Sequence, residues 1–157
     1  MSPAAAPDYV DFRDTTGGPF DLTPAAALAY FRAKGLKPTF AWQDALRAEH
    51  SAAFTVAKMM DVDLLNDVRE AVDAAIAEGM SVAEFRQRLT PLLQEKGWWG
   101  KQTVTDPLSG DQVVAQLGSA HRLNTIYRTN MQSAYATGQW LEIEANRDIA
   151  PLLLYDA

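Results

Sequence analysis

Ser119-Ala120-His121-Arg122-Leu123-Asn124-Thr125-Ile126-Tyr127-Arg128-Thr129-Asn130-Met131-Gln132-Ser133-Ala134-Tyr135-Ala136-Thr137-Gly138 is the stretch on which the fold turns. Ser119 offers a hydroxyl N-cap, and no proline occurs again before Pro151. Leu123, Ile126, Tyr127, Asn130, Ala134, Leu141 and Ala145 fall along one side at helical spacing, which predicts the longest helix of the chain, running to about Arg147. Ala134 and Gly138 are small on that side and would let a second backbone come close.

Upstream, Lys101–Gly118 changes period. Thr103-Val104-Thr105 and Gln112-Val113-Val114-Ala115-Gln116-Leu117 flank Asp106-Pro107-Leu108-Ser109-Gly110-Asp111, dense in turn formers, and the pattern predicts a β-hairpin. Two strands alone are marginal in water, so the hairpin needs helices or a partner to lie on. Before it, Ser81 with Glu84 forms a capping box that opens a helix carrying Val82, Phe85, Leu89, Leu92 and Leu93 inward, closed by Gly97. Pro91 sits inside that pattern and predicts a kink or break near Thr90. Asp61 or Asp63 caps an earlier helix with Leu65, Val68, Val72 and Ile76 at four-three-four spacing, ended by Gly79. A further helix is predicted from about Trp42 to Lys58, with Trp42, Ala45, Leu46, Ala53 and Val56 as core candidates. Thr23-Pro24 starts the first helix, where Leu28 and Phe31 share a face, and Gly35 stops it. Lys37-Pro38 restarts the chain in extended form.

At the ends, residues 1–22 mix Pro3, Pro7, Pro19, Gly17 and Gly18 with Asp8, Asp11 and Asp14 and read as an extended N-terminal arm. Pro151-Leu152-Leu153-Leu154-Tyr155-Asp156-Ala157 reads as an apolar strand that either pairs inside the fold or belongs to a longer chain. With no βαβ alternation, the expected fold is mainly α with a small β element. It is a helical domain over 23–157 of about five helices, a β-hairpin and a C-terminal strand.

Composition narrows the function classes. The 157 residues are 48% apolar, enough for a real core. Fourteen basic against twenty acidic residues give a net charge of −6, which opposes a free-standing nucleic-acid binder while allowing a local basic patch. No cysteine is present, so disulfides, thiol nucleophiles and Cys-ligated zinc are excluded within these residues. No run approaches the 18 apolar residues of a transmembrane helix.

Catalytic patterns are missing. His50 and His121 are the only histidines and lack the spacing of a helical zinc site. Ser51 beside His50 is adjacency rather than triad geometry, and neither a G-x-S-x-G elbow nor a phosphate-cradling glycine loop occurs. Glu142 and Glu144 do not face the same way, and Asp106 and Asp111 are better explained as turn residues than as cation ligands. These residues give no ground for an enzyme, a cofactor or a metal.

Two features rise above this background. Trp98-Trp99-Gly100 puts two indoles at the helix-to-hairpin junction; in extended backbone they point opposite ways, one into the core and one outward, towards a partner or into simple junction packing. The start of the long helix is densely polar, with Arg122, Thr125, Arg128, Thr129, Asn130 and Gln132 interleaved with Tyr127 and Tyr135. Arg128, Gln132, Tyr135 and Gln139 make one stripe of directed hydrogen-bonding groups. It reads either as a buried polar network or as a contact surface for protein or nucleic-acid backbone.

The run Arg122 to Tyr135 with Gly138 resembles the signature helix of the phage Mu F-like minor head proteins, also called head morphogenesis proteins. Phe54-Thr55-Val56-Ala57-Lys58, the Asp67–Ala75 helix, Phe85-Arg86-Gln87-Arg88-Leu89 and Gly97-Trp98-Trp99-Gly100 are similar in order and spacing, so the resemblance covers roughly residues 19–157. It implies a non-enzymatic, structural minor capsid protein of a tailed phage or prophage, located in the virion head and, during assembly, in the host bacterial cytoplasm. The implied partners are the portal protein and other head proteins, at the vertex where heads assemble and DNA is packaged. No membrane partner is expected, and packaged DNA is the alternative partner, touched through Arg122, Arg128 and Lys101. The implied partner-binding positions are Trp98, Trp99, Arg122, Thr125, Tyr127, Arg128, Thr129, Asn130, Gln132 and Tyr135. Relatives continue past the Tyr155-Asp156 strand into a segment whose His, Trp and Cys residues could bind metal, so the resemblance also implies truncation at the C-terminus.

Overall fold

A computed structural model describes residues 25–41 and 52–149. Four helices occur among them: α1 (Ala25–Ala33), α2 (Val62–Glu78), α3 (Val82–Glu95) and α4 (Ala120–Ala145). Two small two-stranded sheets accompany them. Strands β1 (Gly35–Leu36) and β2 (Ala53–Phe54) pair in parallel, and β3 (Lys101–Thr105) and β4 (Gln112–Gln116) form an antiparallel hairpin with Val104 opposite Val113. The fold is mainly helical with a small β element, as the sequence predicts. The arm, the C-terminal strand and the Trp42–Ser51 part of the predicted second helix lie outside the described residues.

Helix boundaries follow local chemistry. The Asp61 side chain accepts from Leu64 N and caps α2, which Gly79 ends at φ +64°, where a side chain would be strained. Ser81 and Glu84 complete both halves of the capping box of α3. Two hydrogen bonds from Ser81 to the Glu84 carboxylate hold its pKa below the ordinary value. Ser119 caps α4 through Arg122 N.

The core gathers Leu64, Leu65, Val68, Val72 and Ile76 from α2, Phe85, Leu89 and Leu93 from α3, and Leu123, Ile126 and Ala134 from α4. Phe31 of α1 meets Phe54 of β2 edge to face, ring centroids 5.7 Å apart. Helix α1 is fixed from two sides. Its Arg32 pairs bidentately with Asp73 of α2, and Arg69 donates to the Arg32 and Lys34 carbonyls at its C-terminal end. On the other side α1 lies on α4 so closely that a Cβ built on Gly138 would stand 2.9 Å from Ala27 N. The small residues of the long helix therefore do admit a second backbone.

Two sequence expectations need correction. Ala53–Lys58 is not helical: Ala53 and Phe54 pair with β1, Thr39 bridges to Ala57 and Met59, and Lys58 takes φ +67°. The β-branched Thr55 and Val56 suit extended backbone, and burying Phe54 against Phe31 rewards it. Helix α3 also runs unbroken through Pro91 to Glu95. Pro91 and Gln87 both lie on its exposed side, where the Gln87 carbonyl that loses its hydrogen bond can face water.

Candidate partner-binding surface

The helix-to-hairpin junction is built by backbone pairing. Leu93 O accepts from Trp98 N, Gly118 N donates to Trp98 O, and Gly100 exchanges hydrogen bonds with Gly118 O and Leu117 N, so Trp98-Trp99-Gly100 extends the base of the hairpin. Alternation then sends the two indoles apart. Trp98 enters the core at 6% exposure and donates Nε1–H to Lys58 O at 3.0 Å. Trp99 is half-buried, and a Cβ on Gly118 would stand 2.5 Å from its ring, so glycine is needed beneath the indole.

Arg122 completes this junction from the first turn of α4. Its guanidinium donates to the carbonyls of Gln116, Leu117 and Ala57 and lies 4.8 Å from the Trp98 ring centroid. Burial lowers its pKa from the ordinary arginine value. Three segments, the Ala57–Lys58 turn, the end of β4 and the start of α4, meet on this one side chain.

The ten sequence-selected residues thus divide. Trp98, Arg122 and Tyr127 are engaged within the fold; the Tyr127 hydroxyl donates to Met80 O at 2.6 Å and its ring packs on Phe85. Thr125 and Asn130 bond back to the carbonyls of His121 and Ile126 on their own helix. Trp99 and Tyr135 are half-buried against the core. Arg128, Thr129 and Gln132 are exposed. The polar start of α4 therefore has a hydrogen-bonded network on its inner side and an exposed ridge on its outer side. A groove of about 680 Å³ beside the ridge is bounded by Tyr30 of α1 and Lys34 just past its end, residues 53–57, and Arg122, Thr125 and Thr129 of α4, with no carboxylate in its lining.

Sequence reasoning passed over Lys58 and Gly118. Lys58 combines a left-handed backbone, an ammonium 3.3 Å from the Phe40 ring centroid, and the carbonyl that receives Trp98. A non-glycine residue at positive φ leaves no mark in a sequence. Among the described residues no cluster of three or more metal-ligating side chains occurs, and no helix is long and apolar enough to cross a membrane.

Comparison with known proteins gives relatives by sequence. The chain is 43% identical over 136 residues, 87% of its length, to protein F of Escherichia phage Mu, whose name marks it for capsid assembly. It is 40% identical over 119 residues, 76% of its length, to the Mu-like prophage FluMu F protein of Haemophilus influenzae. No family model matches, and no solved structure matches. The chain spans less than a third of the curated relatives it matches, 31% and 28% of their lengths. Over most of its own length, the chain is a homologue of the Mu F-like phage proteins.

Proposed function

We propose that this chain serves a structural, non-enzymatic role in the assembly of a tailed-phage or prophage capsid. The observation that carries the reading is its 43% identity, across 87% of its residues, to a phage Mu protein named for capsid assembly. In finer detail, it acts at the portal vertex during head assembly and DNA packaging, and it resides in the virion head after assembly in the host cytoplasm. Its partners are the portal and other head proteins. The surfaces that meet them are the half-buried Trp99 and the open ridge of Arg128, Thr129 and Gln132 on α4, while Trp98, Arg122 and Tyr127 hold those surfaces in place. Contact with DNA phosphates is a weaker reading, because the Arg122 guanidinium is already spent on three carbonyls.

The test is co-purification. A tagged copy expressed with the phage head genes should bring down portal or other head proteins, and Arg128→Glu should reduce the yield at least several-fold with the fold intact. Recovery of no head protein by the unaltered chain would overturn the reading.

A further inference from the structure

The outer side of α4 carries an unusual composition for this chain. From Ala120 to Leu141 there is no aspartate or glutamate, although acidic residues outnumber basic ones twenty to fourteen in the whole sequence. Thr125, Arg128, Gln132, Ala136, Gln139 and Ile143 recur at steps of three and four, so they share one face, and all are exposed. Beside them Trp140 is 57% exposed. Solvated helix faces favour Glu and Lys, whereas exposed tryptophan and arginine on an otherwise uncharged ridge are the composition of interface centres.

The order of these residues is self-complementary about Ala136. Arg128 lies about two helical turns before it, and Glu142, on the same flank, about two turns after. Neither side chain has an ion pair among the described residues. A second α4 laid antiparallel, with the two-fold axis at Ala136, sets each Arg128 opposite the other copy's Glu142. It also lays Trp140 over Gln132 and Ile143 over Thr129. Ala136 at the crossing point has only a methyl group, which permits close approach. A parallel pairing would instead oppose Arg128 to Arg128 and align the helix dipoles.

We infer that this ridge binds a second copy of the same chain through an antiparallel, two-fold contact between the two α4 helices. The inference rests on the reading of the ridge as a partner surface and names its partner. One helix pair buries less than the roughly 1,000 Å² of a stable interface, so the contact is weak and concentration-dependent on its own.

The absence of cysteine gives a direct test. Ala136→Cys, at the two-fold axis, should form a disulfide dimer on mild oxidation, at least ten-fold above Leu108→Cys at the exposed hairpin tip. Thr129→Cys should not cross-link to itself but should link to Ile143→Cys when the two variants are mixed. Arg128→Glu should abolish cross-linking of Ala136→Cys, and adding Glu142→Arg should restore it. Cross-linking of Ala136→Cys no better than Leu108→Cys, self-linking at position 129, or failure of the charge swap overturns the inference. If pairing fails while Arg128→Glu still blocks recovery of head proteins, the ridge serves another head protein and the function above survives. If pairing holds and no head protein is recovered, the function falls and the pairing stands.

Discussion

The guanidinium of Arg122 holds the carbonyl of Ala57 at 2.6 Å, across 65 positions of sequence, while its other Nη donates to Gln116 and Leu117. A single side chain thus fixes the start of α4 to both the Ala57–Lys58 turn and the hairpin. Removing it leaves the carbonyls of Ala57, Gln116 and Leu117 without a charged donor. Hydrogen bonds to charged groups are each worth about 1.5–3 kcal/mol, and bonds sharing one donor do not add fully. Arg122→Ala is therefore expected to cost about 3 kcal/mol in urea unfolding. Arg122→Lys should recover under half of this, because one ammonium cannot reach carbonyls on opposite sides of a planar fork. An unchanged midpoint would show that the strut carries no stability.

At Gly138 two effects of opposite sign compete. Glycine in an open helix costs about 1 kcal/mol relative to alanine, so Gly138→Ala would stabilise an isolated α4. Here the new Cβ meets Ala27 N at 2.9 Å and Ala27 Cα at 3.3 Å, backbone that cannot rotate away. Overpacking costs about 1–3 kcal/mol, so the clash should win. Thermal unfolding is expected to shift down, and hydrogen exchange should quicken in α1 before α2. A rise in Tm would mean that α1 moves away without loss.

The Tyr127 hydroxyl donates to Met80 O, and burial, with smaller contributions from Tyr135 and Glu84, raises its pKa above the ordinary tyrosine value. A raised pKa means that the folded chain holds the proton more tightly. Stability from this group is therefore complete below the unfolded value near 10 and falls as pH rises through the folded value. Tyr127→Phe keeps the ring on Phe85 but loses the hydrogen bond, at a cost of about 1 kcal/mol at neutral pH. Denaturant melts from pH 8 to 11 should show a shallower alkaline decline for the variant. Parallel curves would remove the assignment.

How much of this was legible in the sequence depends on the range of the cause. Asp61, Gly79, Ser81 with Glu84, and Ser119 act within a turn of where they stand, and each does what its local pattern implies. Leu65, Val68, Val72 and Ile76 likewise show their burial in their spacing. Residues 53–58 were misread because the deciding partners, Leu36, Thr39 and Phe31, are distant in sequence and a short apolar run suits helix or strand equally. The candidate surface was half legible for the same reason. A motif selects Arg122, Tyr127 and Arg128 alike, and only the packing of Ala57 and Met80 separates the two inward residues from the exposed one.

Pro91 offers the cleanest case of a local rule outweighed. It stands on the exposed side of α3, removes the hydrogen bond to Gln87 O, and yet leaves the helix continuous because Leu89 and Leu93 on either side are buried in the core. Proline in a helix interior is about 3 kcal/mol less favourable than alanine. Its restriction of the unfolded chain returns only about 0.4–1 kcal/mol. Pro91→Ala should therefore stabilise the fold by about 2 kcal/mol, with the gain visible as slower hydrogen exchange around Gln87–Leu92 and a higher urea midpoint. Because Pro91 is not among the proposed contact residues and lies on the exposed side of α3, recovery of head proteins should be unchanged. A destabilised Pro91→Ala would mean that the packing of α3 depends on a bend at the proline, and Leu93 would then be expected to lose its place in the core.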